Sequence, residues 1–388
     1  MNELKKIYAM SFFSGLSAAA TVTFTLYFLS HGLNQAQIGT LFGVFMVSMA
    51  VFNIPTGTIA DIFGHKASVA VGLFFQAIAF LLFFLYPNYI GFLFGMLADA
   101  VGLAFQTGAT SSLIYELLHK ENLHEDFQKV IGRVGAYSLA GVVIAGPIGS
   151  VIYKFYPGVP YLLSFFFFIF AMMAIYIVKW EFVKRPPTLS NYLNILVGGV
   201  HSTLKNRILI ATVLVGIALS VNRLVFNQNI SQPYQLSIGI DVAYIGFTAA
   251  IVAAAQAFIS INAYKISRRI GQSFSLLLIV AIPSIAVIIL SFINSLLAIP
   301  LILILYMGHA FRDPVISHIS QEEIDPNKRS TMASTISFLV SIIVGLLLPF
   351  WGKGIDLFGI HSSLFLLGAF SFIIGALGLM MFETKRTG

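Results

Sequence analysis

The sequence predicts an all-α membrane protein with twelve transmembrane helices in two pseudo-symmetric six-helix bundles. Of its 388 residues, 58% are hydrophobic and only 10% are charged, whereas an average soluble domain has about 25% charged residues. Long apolar runs recur along the chain, and the second half repeats landmarks of the first. The runs are continuous, which indicates helices, because the strands of a membrane barrel alternate polar and apolar residues over about ten positions.

Twelve apolar runs are long enough to cross a bilayer, which requires roughly 20 helical residues. They cover about 7–30, 36–59, 67–86, 89–118, 128–153, 159–181, 207–230, 241–264, 271–293, 296–320, 329–352 and 360–382. The first run is too long for the apolar region of a signal peptide, roughly 7–15 residues. A Pro-Pro pair opens the longest connection, so we predict a first bundle over 1–181, a cytoplasmic linker over 182–206 and a second bundle over 207–388.

Most of the 22 Lys and Arg residues fall in alternate connections between these runs. Because basic residues concentrate on the cytoplasmic side, this bias predicts a multi-pass protein of a bacterial plasma membrane with both termini in the cytoplasm. The basic residues are scattered over several loops, so a nucleic-acid partner is not expected. The predicted partners are the lipid bilayer and a small-molecule substrate, and the predicted state is a monomer.

The second half of the chain repeats the first at a spacing of 207 residues. "GLNQAQIG" begins at Gly32 and "GIDVAYIG" begins at Gly239. The same spacing pairs Gly64 with Gly271, and Glu116 with Glu323. Two repeated halves of six spans are typical of secondary transporters, which move solutes by alternating access.

A polar turn interrupts the apolar sequence between the second and third spans, where the chain reads "PTGTIADIFGHK". Gly57 and Gly64 permit close backbone approach in a tight turn. Asp61 can accept hydrogen bonds from a neighbouring helix N-terminus, and His65 with Lys66 can pair with another carboxylate, for which Glu116 is the candidate. We predict a conformational latch here; the alternative is that Asp61 merely caps the third span.

These residues resemble a signature of the major facilitator superfamily, Gly-x-x-x-Asp-x-x-Gly followed by two basic residues. The matching positions are Gly57, Asp61, Gly64 and Lys66, and His65 departs from the pattern. The resemblance covers essentially the whole chain. It implies alternating access, with spans 1, 4, 7 and 10 lining a central cavity.

The fifth span, "AGVVIAGPIGSVI", is similar to a motif of drug–proton antiporters in that superfamily. Gly146 and Pro147 match, whereas Gly141 is displaced by one residue and Ser150 replaces a glycine. The resemblance implies an antiporter-like member whose fifth span belongs to the latch. Ordinary packing of small residues between helices is the alternative.

Four charged residues fall within spans, where a charge costs at least about 2.5–3.5 kcal/mol and marks a functional candidate. Asp99 and Asp313 are the proton-coupling candidates, because burial disfavours an ionised carboxylate. The substrate-cavity candidates are Thr21, Gln106, Arg223, Asn227, His309 and Arg312. Alternatives remain: Asp99 as a structural hydrogen-bonding group, Arg223 extending to the surface, and Arg312 paired internally with Asp313.

The sequence contains no Walker A loop and no hydrolase or metalloprotease motif, so neither ATP-driven transport nor an enzyme is expected. We predict proton-coupled efflux of small amphiphilic compounds, with the proton gradient as energy source and without a cofactor or metal. The first alternative is transport of an anionic metabolite, by export or proton symport, because two arginines can bind carboxylate or phosphate. A membrane-embedded enzyme is the alternative from another class.

Overall fold

The computed structural model describes residues 2–121, 123–180, 198–323 and 329–383, and within these ranges it contains helices and no β-strand. The first half of the chain supplies nine α-helices. They are α1 (Asn2–Leu16), α2 (Ala18–Thr21), α3 (Phe24–Ser30), α4 (Gln35–Phe63), α5 (His65–Leu85), α6 (Tyr89–Gln106), α7 (Ala109–Lys120), α8 (Phe127–Phe155) and α9 (Val159–Tyr176). A 3₁₀ turn, His124–Asp126, precedes α8.

The second half begins, within the described residues, with a short helix, α10 (198–205), that covers the end of the predicted linker. The helices that follow are α11 (Arg207–Val225), α12 (Ser231–Ser237), α13 (Val242–Ile270), α14 (Gln272–Leu290), α15 (Ala298–Glu323) and α16 (Arg329–Glu383). A π-helix, Phe226–Ile230, joins α11 to α12. The linker residues 182–197 lie outside the described ranges.

Eight helices in the described ranges are long and apolar enough to cross a membrane, or nine when α1–α3 count as one span bent by 41°. Two shorter apolar helices cover Phe274–Leu290 and Ala298–Arg312. The last two predicted spans form one continuous helical stretch, α16, in which Gly359 departs from helical geometry with φ 77° and ψ 172°. The protein is therefore an all-helical, multi-pass membrane protein.

The repeat seen in the sequence recurs in the backbone at the same spacing. Helices α4 and α13 both have 29 residues, and α13 starts 207 residues after α4. The glycines that precede α4 and α13 both have positive φ, as do those that precede α5 and α14. The Tyr27 hydroxyl donates to the Phe83 carbonyl at 3.2 Å, and the Tyr234 hydroxyl, 207 residues later, donates to the Leu290 carbonyl at 3.0 Å.

The lead helix of each repeat is also broken at a matching place. The bend in the first half lies between Thr21 and Phe24, and the corresponding residues of the second half lie at the π-helix and the start of α12. π-helical turns are rare and often occur at functional sites. Sequence patterning identified neither break.

The chain divides into two compact units. The first comprises Met1–Leu33, Val44–Ser190 and Asp241–Ala250, and the second comprises Asn34–Gly43, Asn191–Ile240 and Ile251–Gly388. Within the first unit, α5 packs against α6 and α9, and α1 packs against α8 and α9. Within the second unit, α11 and α14 both pack against α16, and α14 packs against α15. Each unit thus has its own helical core.

Candidate functional site

The polar turn between α4 and α5 is built around Gly64. Its φ of 95° and ψ of 146° place it in a backbone region that essentially only glycine adopts. Gly64 is the N-cap of α5, and no side chain caps that helix. The alternative reading, in which Asp61 caps the third span, therefore has no hydrogen bond to support it. Among the described residues, no atom outside Gly57's own stretch of helix lies within 4 Å of where a side chain at this position would begin.

Charged and aromatic side chains connect this turn to α7 and to the end of α9. His65 Nδ1 lies 2.9 Å from Glu116 Oε1, and Trp180 Nε1 donates to Glu116 Oε2 at 3.0 Å. Asp61 Oδ1 lies 3.7 Å from His65 Nε2. His65 thus stands between two carboxylates. Sequence reasoning named Glu116 as a partner of this turn but missed Trp180.

Lys66 has a different partner from the one predicted. Its Nζ donates to the carbonyls of Tyr176 and Val178 at 2.8 and 2.7 Å. Those carbonyls lie at the end of α9, where backbone acceptors have no helical partner and favour a cation. Lys66 therefore ties the turn to the sixth span, rather than to Glu116.

A second polar cluster joins α5 to α6 in the first unit. Gln76 Nε2 donates to Asp99 Oδ1 at 2.9 Å, and Gln106 Nε2 donates to Gln76 Oε1. The two helices approach closely, because a Cβ on Gly102 would meet the Gly72 carbonyl oxygen at 2.6 Å. Sequence reasoning found Asp99 and Gln106 but missed Gln76. The spacing that could have revealed it is a glycine four residues before each glutamine, Gly72–Gln76 and Gly102–Gln106.

The second unit contains a buried cluster centred on Asn222. His309 Nε2 lies 3.2 Å from Asn222 Oδ1, and Asn222 Nδ2 donates to Ser371 Oγ at 3.2 Å. His309 is only 5% exposed, and its Nδ1 has no hydrogen-bond partner among the described residues. The cluster links α11, α15 and α16. Asn222 and Ser371 were not singled out in the sequence, where one polar residue in an apolar run carries little signal.

Two arginines lie beside this cluster. Arg312 Nη1 donates to Ser220 Oγ at 3.3 Å. Arg223 is exposed, and among the described residues its guanidinium forms neither a hydrogen bond nor an ion pair. Both arginines interact electrostatically with His309. The side chain of Asp313 lies outside the described part of the chain, so its predicted role has no structural account.

Two further cavity candidates, Asn227 and Thr21, lie at the breaks of the lead helices of their own halves. The Tyr306 hydroxyl donates to Asn227 Oδ1 at 2.7 Å, at the π-helix that follows Arg223. Thr21 is exposed at the bend of the first span, and its hydroxyl lies 3.5 Å from the Ala18 carbonyl. Among the described residues no group of three His, Asp or Glu side chains could hold a metal ion.

Small residues of α8 bring other backbones close. A Cβ on Gly149 would meet the Ala19 carbonyl oxygen at 2.1 Å, and one on Gly146 would lie 3.2 Å from the Gly246 carbonyl oxygen. Ser150 Oγ donates to the Ala243 carbonyl at 2.8 Å. Pro147 lies inside the helix. The antiporter-like segment therefore packs against α2 and against the first turns of α13, which belong to the same unit.

The chain is similar in sequence to known transport proteins. The family model of the Major Facilitator Superfamily matches residues 7–344. A relative from Methanocaldococcus jannaschii, described as an uncharacterized MFS-type transporter, is 23% identical over 375 residues, which cover 92% of each chain. An uncharacterized transporter of Buchnera aphidicola is 27% identical over 146 residues, 38% of this chain and 36% of the relative.

Solved transporter structures share the fold at low sequence identity. The nucleoside transporter NupG matches with a TM-score of 0.84 at 12% identity, and the match covers 98% of this chain and 99% of NupG. A POT family transporter has a TM-score of 0.80 at 14% identity and covers 99% of this chain and 96% of its own. The match over residues 7–344 shows that this multi-pass chain belongs to the Major Facilitator Superfamily of transporters.

Proposed function

We propose that the protein is a proton-coupled secondary transporter that exports small amphiphilic compounds by alternating access. The observation that carries the proposal is Asp99, a carboxylate inside the apolar helix α6 whose polar partner is the neutral side chain of Gln76. Apolar surroundings disfavour the ionised form of a carboxyl group. Asp99 can therefore take up a proton on one side of the membrane and release it on the other.

The proposal includes twelve spans in two six-helix bundles. In this arrangement each of the eight long apolar helices, the bent pair and the two shorter apolar helices would cross the membrane, and the last stretch would cross twice with a division at Gly359. With both termini in the cytoplasm, position 354 lies outside and position 190 inside. A cysteine at Gly354 of this cysteine-free chain should react with an impermeant maleimide in intact cells, and one at Ser190 should not. The reverse labelling pattern contradicts the orientation.

Asp99→Asn tests the coupling, because asparagine keeps the shape of the side chain but cannot exchange a proton. Proteoliposomes with an imposed pH gradient should lose uphill transport of a lipophilic cation such as tetraphenylphosphonium, while exchange of labelled for unlabelled compound persists. Asp126→Asn is the matched control, because Asp126 forms an exposed pair with Lys129 at 3.3 Å outside the apolar helices. Uphill, gradient-dependent transport by Asp99→Asn would exclude Asp99 as the coupling residue.

Transport of an anionic metabolite is the second candidate, and Arg223 favours it. An exposed guanidinium without an acid partner among the described residues offers the bidentate geometry that carboxylates and phosphates prefer. Arg223→Gln should then abolish binding of an organic anion such as benzoate, and Arg223→Lys should restore part of it. If tetraphenylphosphonium binding improves in Arg223→Gln while benzoate does not bind the wild-type protein, the efflux candidate is the better one.

A further inference from the structure

The hydrogen bonds between α5 and α6 form a chain in which every donor points the same way, from Gln106 through Gln76 to Asp99. Gln76 donates to Asp99 and accepts from Gln106. An ionised carboxylate can only accept, so this direction fits an ionised Asp99. Each glutamine packs across the glycine of the opposite helix, because a Cβ on Gly72 would lie 2.7 Å from Gln106 Cγ and one on Gly102 would lie 2.7 Å from Gln76 Cγ.

The row of hydrogen bonds ends, on the side away from Asp99, at the side-chain oxygen Oε1 of Gln106. Gln106 Nε2 donates to Gln76 and also lies 3.4 Å from the Gly102 carbonyl oxygen, so its amide hydrogens are directed inward. Gln106 Oε1 accepts no hydrogen bond from the described residues, and the side chain is half-buried. The chain therefore presents an acceptor at its outer end.

No other ionisable group of the described residues interacts with Asp99. The titratable side chains of the helices around it are held elsewhere. His65 pairs with Glu116, Lys66 binds carbonyls at the end of α9, and Tyr27 donates to the Phe83 carbonyl. The remaining titratable residues of α4, α6 and α7 are Asp61, Tyr89, Tyr115, His119 and Lys120, and His31 follows α3. The hydrogen bonds through Gln76 and Gln106 are thus the polar connection through which a change in the protonation of Asp99 can affect other groups.

We propose that Gln76 and Gln106 act as a relay that reverses direction when Asp99 takes up a proton. A protonated Asp99 donates to Gln76 Oε1, which requires the Gln76 amide to turn over. Gln76 Nε2 then donates to Gln106 Oε1, and Gln106 turns its amino group outward. The hydrogen bonds between Asp99 and Gln76 and between Gln76 and Gln106 exist in both states, because an amide side chain has a donor end and an acceptor end. The reversal costs the longer contact of Gln106 Nε2 with the Gly102 carbonyl oxygen, at 3.4 Å.

The relay defines a substrate class. This assignment of a substrate class rests on the proposed role of Asp99 in proton coupling. With Asp99 ionised, Gln106 offers an acceptor that suits an ammonium or another N–H donor. With Asp99 protonated, Gln106 offers N–H donors, which do not suit an ammonium or another N–H donor. Proton and cationic substrate then exclude one another, as an antiporter requires, although the substrate does not touch the carboxylate. Gln76 and Gln106 are positioning residues in this scheme.

Infrared difference spectroscopy of the purified protein during a pH titration tests the relay without substrate or gradient. The protein carries isotope-labelled glutamine, and the bands of Gln76 and Gln106 are assigned by their loss in Gln76→Leu and Gln106→Leu. Both amide bands should shift at the same midpoint pH as the carboxylic acid band of Asp99. Gln76→Leu should move that midpoint upward by about one pH unit or more, because the ionised form loses a charge-assisted donor.

Two controls keep the outcome unambiguous. Asp99→Asn should remove the pH response of both amide bands. Ser68→Ala should leave it intact, because Ser68 Oγ donates to the Phe105 carbonyl between the same two helices but outside the chain. Amide bands that do not follow the Asp99 titration overturn the relay. A failure of Asp99→Asn to abolish uphill transport would instead overturn the proposed function, because the infrared experiment does not depend on transport.

Discussion

The two halves of the chain share a backbone plan but carry different ionisable groups within their spans. Asp99 stands in α6, and the residue 207 positions later in α15 is Tyr306. Gly102, which allows α5 and α6 to touch, corresponds to His309. The first half thus contains a carboxylate bound by the amide of Gln76, which in turn is bound by Gln106, whereas the second contains two arginines and a buried histidine. The two halves therefore have the same backbone plan but different polar side chains at equivalent positions.

Small residues decide which neighbour each polar group meets. In the first half, the glycine contact between α5 and α6 places Gln76 against Asp99. In the second half, Ile279 stands at the position that corresponds to Gly72, and α15 approaches α14 through Gly308, whose Cβ would lie 3.0 Å from Ile282 and Pro283. His309 pairs with Asn222 of α11 instead. The partner of a buried polar residue therefore follows from the helix contact beside it.

The largest expected effect comes from breaking the glycine contact of the first half. Gly102→Ala places a Cβ 2.6 Å from the Gly72 carbonyl oxygen and 2.7 Å from Gln76 Cγ. We expect a loss of about 1–3 kcal/mol of stability, because overpacking a tight contact forces the helices apart. The measurement is the thermal unfolding of the detergent-purified protein.

Gly132→Ala is the matched control, because Gly132 also lies inside a helix but, in the part of the chain that the structure describes, no atom outside its own stretch of helix lies within 4 Å of the added Cβ. It should be neutral or stabilising by about 0.5–1 kcal/mol, since alanine is the better helix former. Equal melting temperatures for the two variants would show that the α5–α6 contact does not constrain the first half.

Asn222→Leu should have the next largest effect and should act on stability. It leaves His309 Nε2 without its partner in a buried position, while Ser371 Oγ keeps its hydrogen bond to the Leu367 carbonyl. Unpaired buried polar groups cost about 1–3 kcal/mol. Asn262→Leu is the control, because the Asn262 amide only donates to the Phe258 carbonyl of its own helix. If Asn222→Leu unfolds at the wild-type temperature, the second cluster is not a structural counterpart of the first.

The sequence predicted those features that depend on one segment at a time. Apolar length identified helical runs, a charge in such a run identified Asp99, and spacing paired Gly64 with Gly271, both with positive φ. Features that depend on two segments were missed. Gln76 becomes significant only when α5 touches α6, and Asn222 only when α11 meets both α15 and α16. The π-helix after α11 has no local signal in "FNQNI" that distinguishes it from an ordinary turn of helix.

The turns that contain Gly64 and Gly271 provide a finer comparison. The first has Asp61 and His65 beside Glu116, whereas the second has Arg268 where Asp61 would stand. Glu116→Gln should lower the free energy of opening the first turn by about 1 kcal/mol, because the half-buried side chain loses the charge that strengthens its hydrogen bonds with His65 and Trp180. A cysteine at the buried Thr58 should then react with a maleimide about fivefold faster. Arg268→Gln should not change that rate, and equal acceleration by both variants would remove the distinction between the turns.

The smallest effect concerns the residues that begin α4 and α13. Asn34 Oδ1 accepts from the Gln37 N–H, and Asp241, its counterpart, accepts from the Ala243 N–H. Asp241 alone also pairs with an ammonium, Lys154 Nζ, at 2.7 Å. The hydrogen bonds from Lys154 and from the Ala243 N–H lower the pKa of Asp241.

A lowered pKa stabilises the folded state only while the carboxylate is ionised. The contribution is complete above the pKa of an aspartate in the unfolded chain and is lost as the pH falls through the lower folded value. Asp241→Asn, which makes the second half resemble the first, should therefore unfold slightly below the wild type at neutral pH, with a gap that closes below about pH 4. Both side chains are more than 40% exposed, so added salt should also narrow the gap. Lys154→Gln should show the same gap and the double variant no further loss; a gap that persists in acid would assign the effect to the helix start rather than to the ion pair.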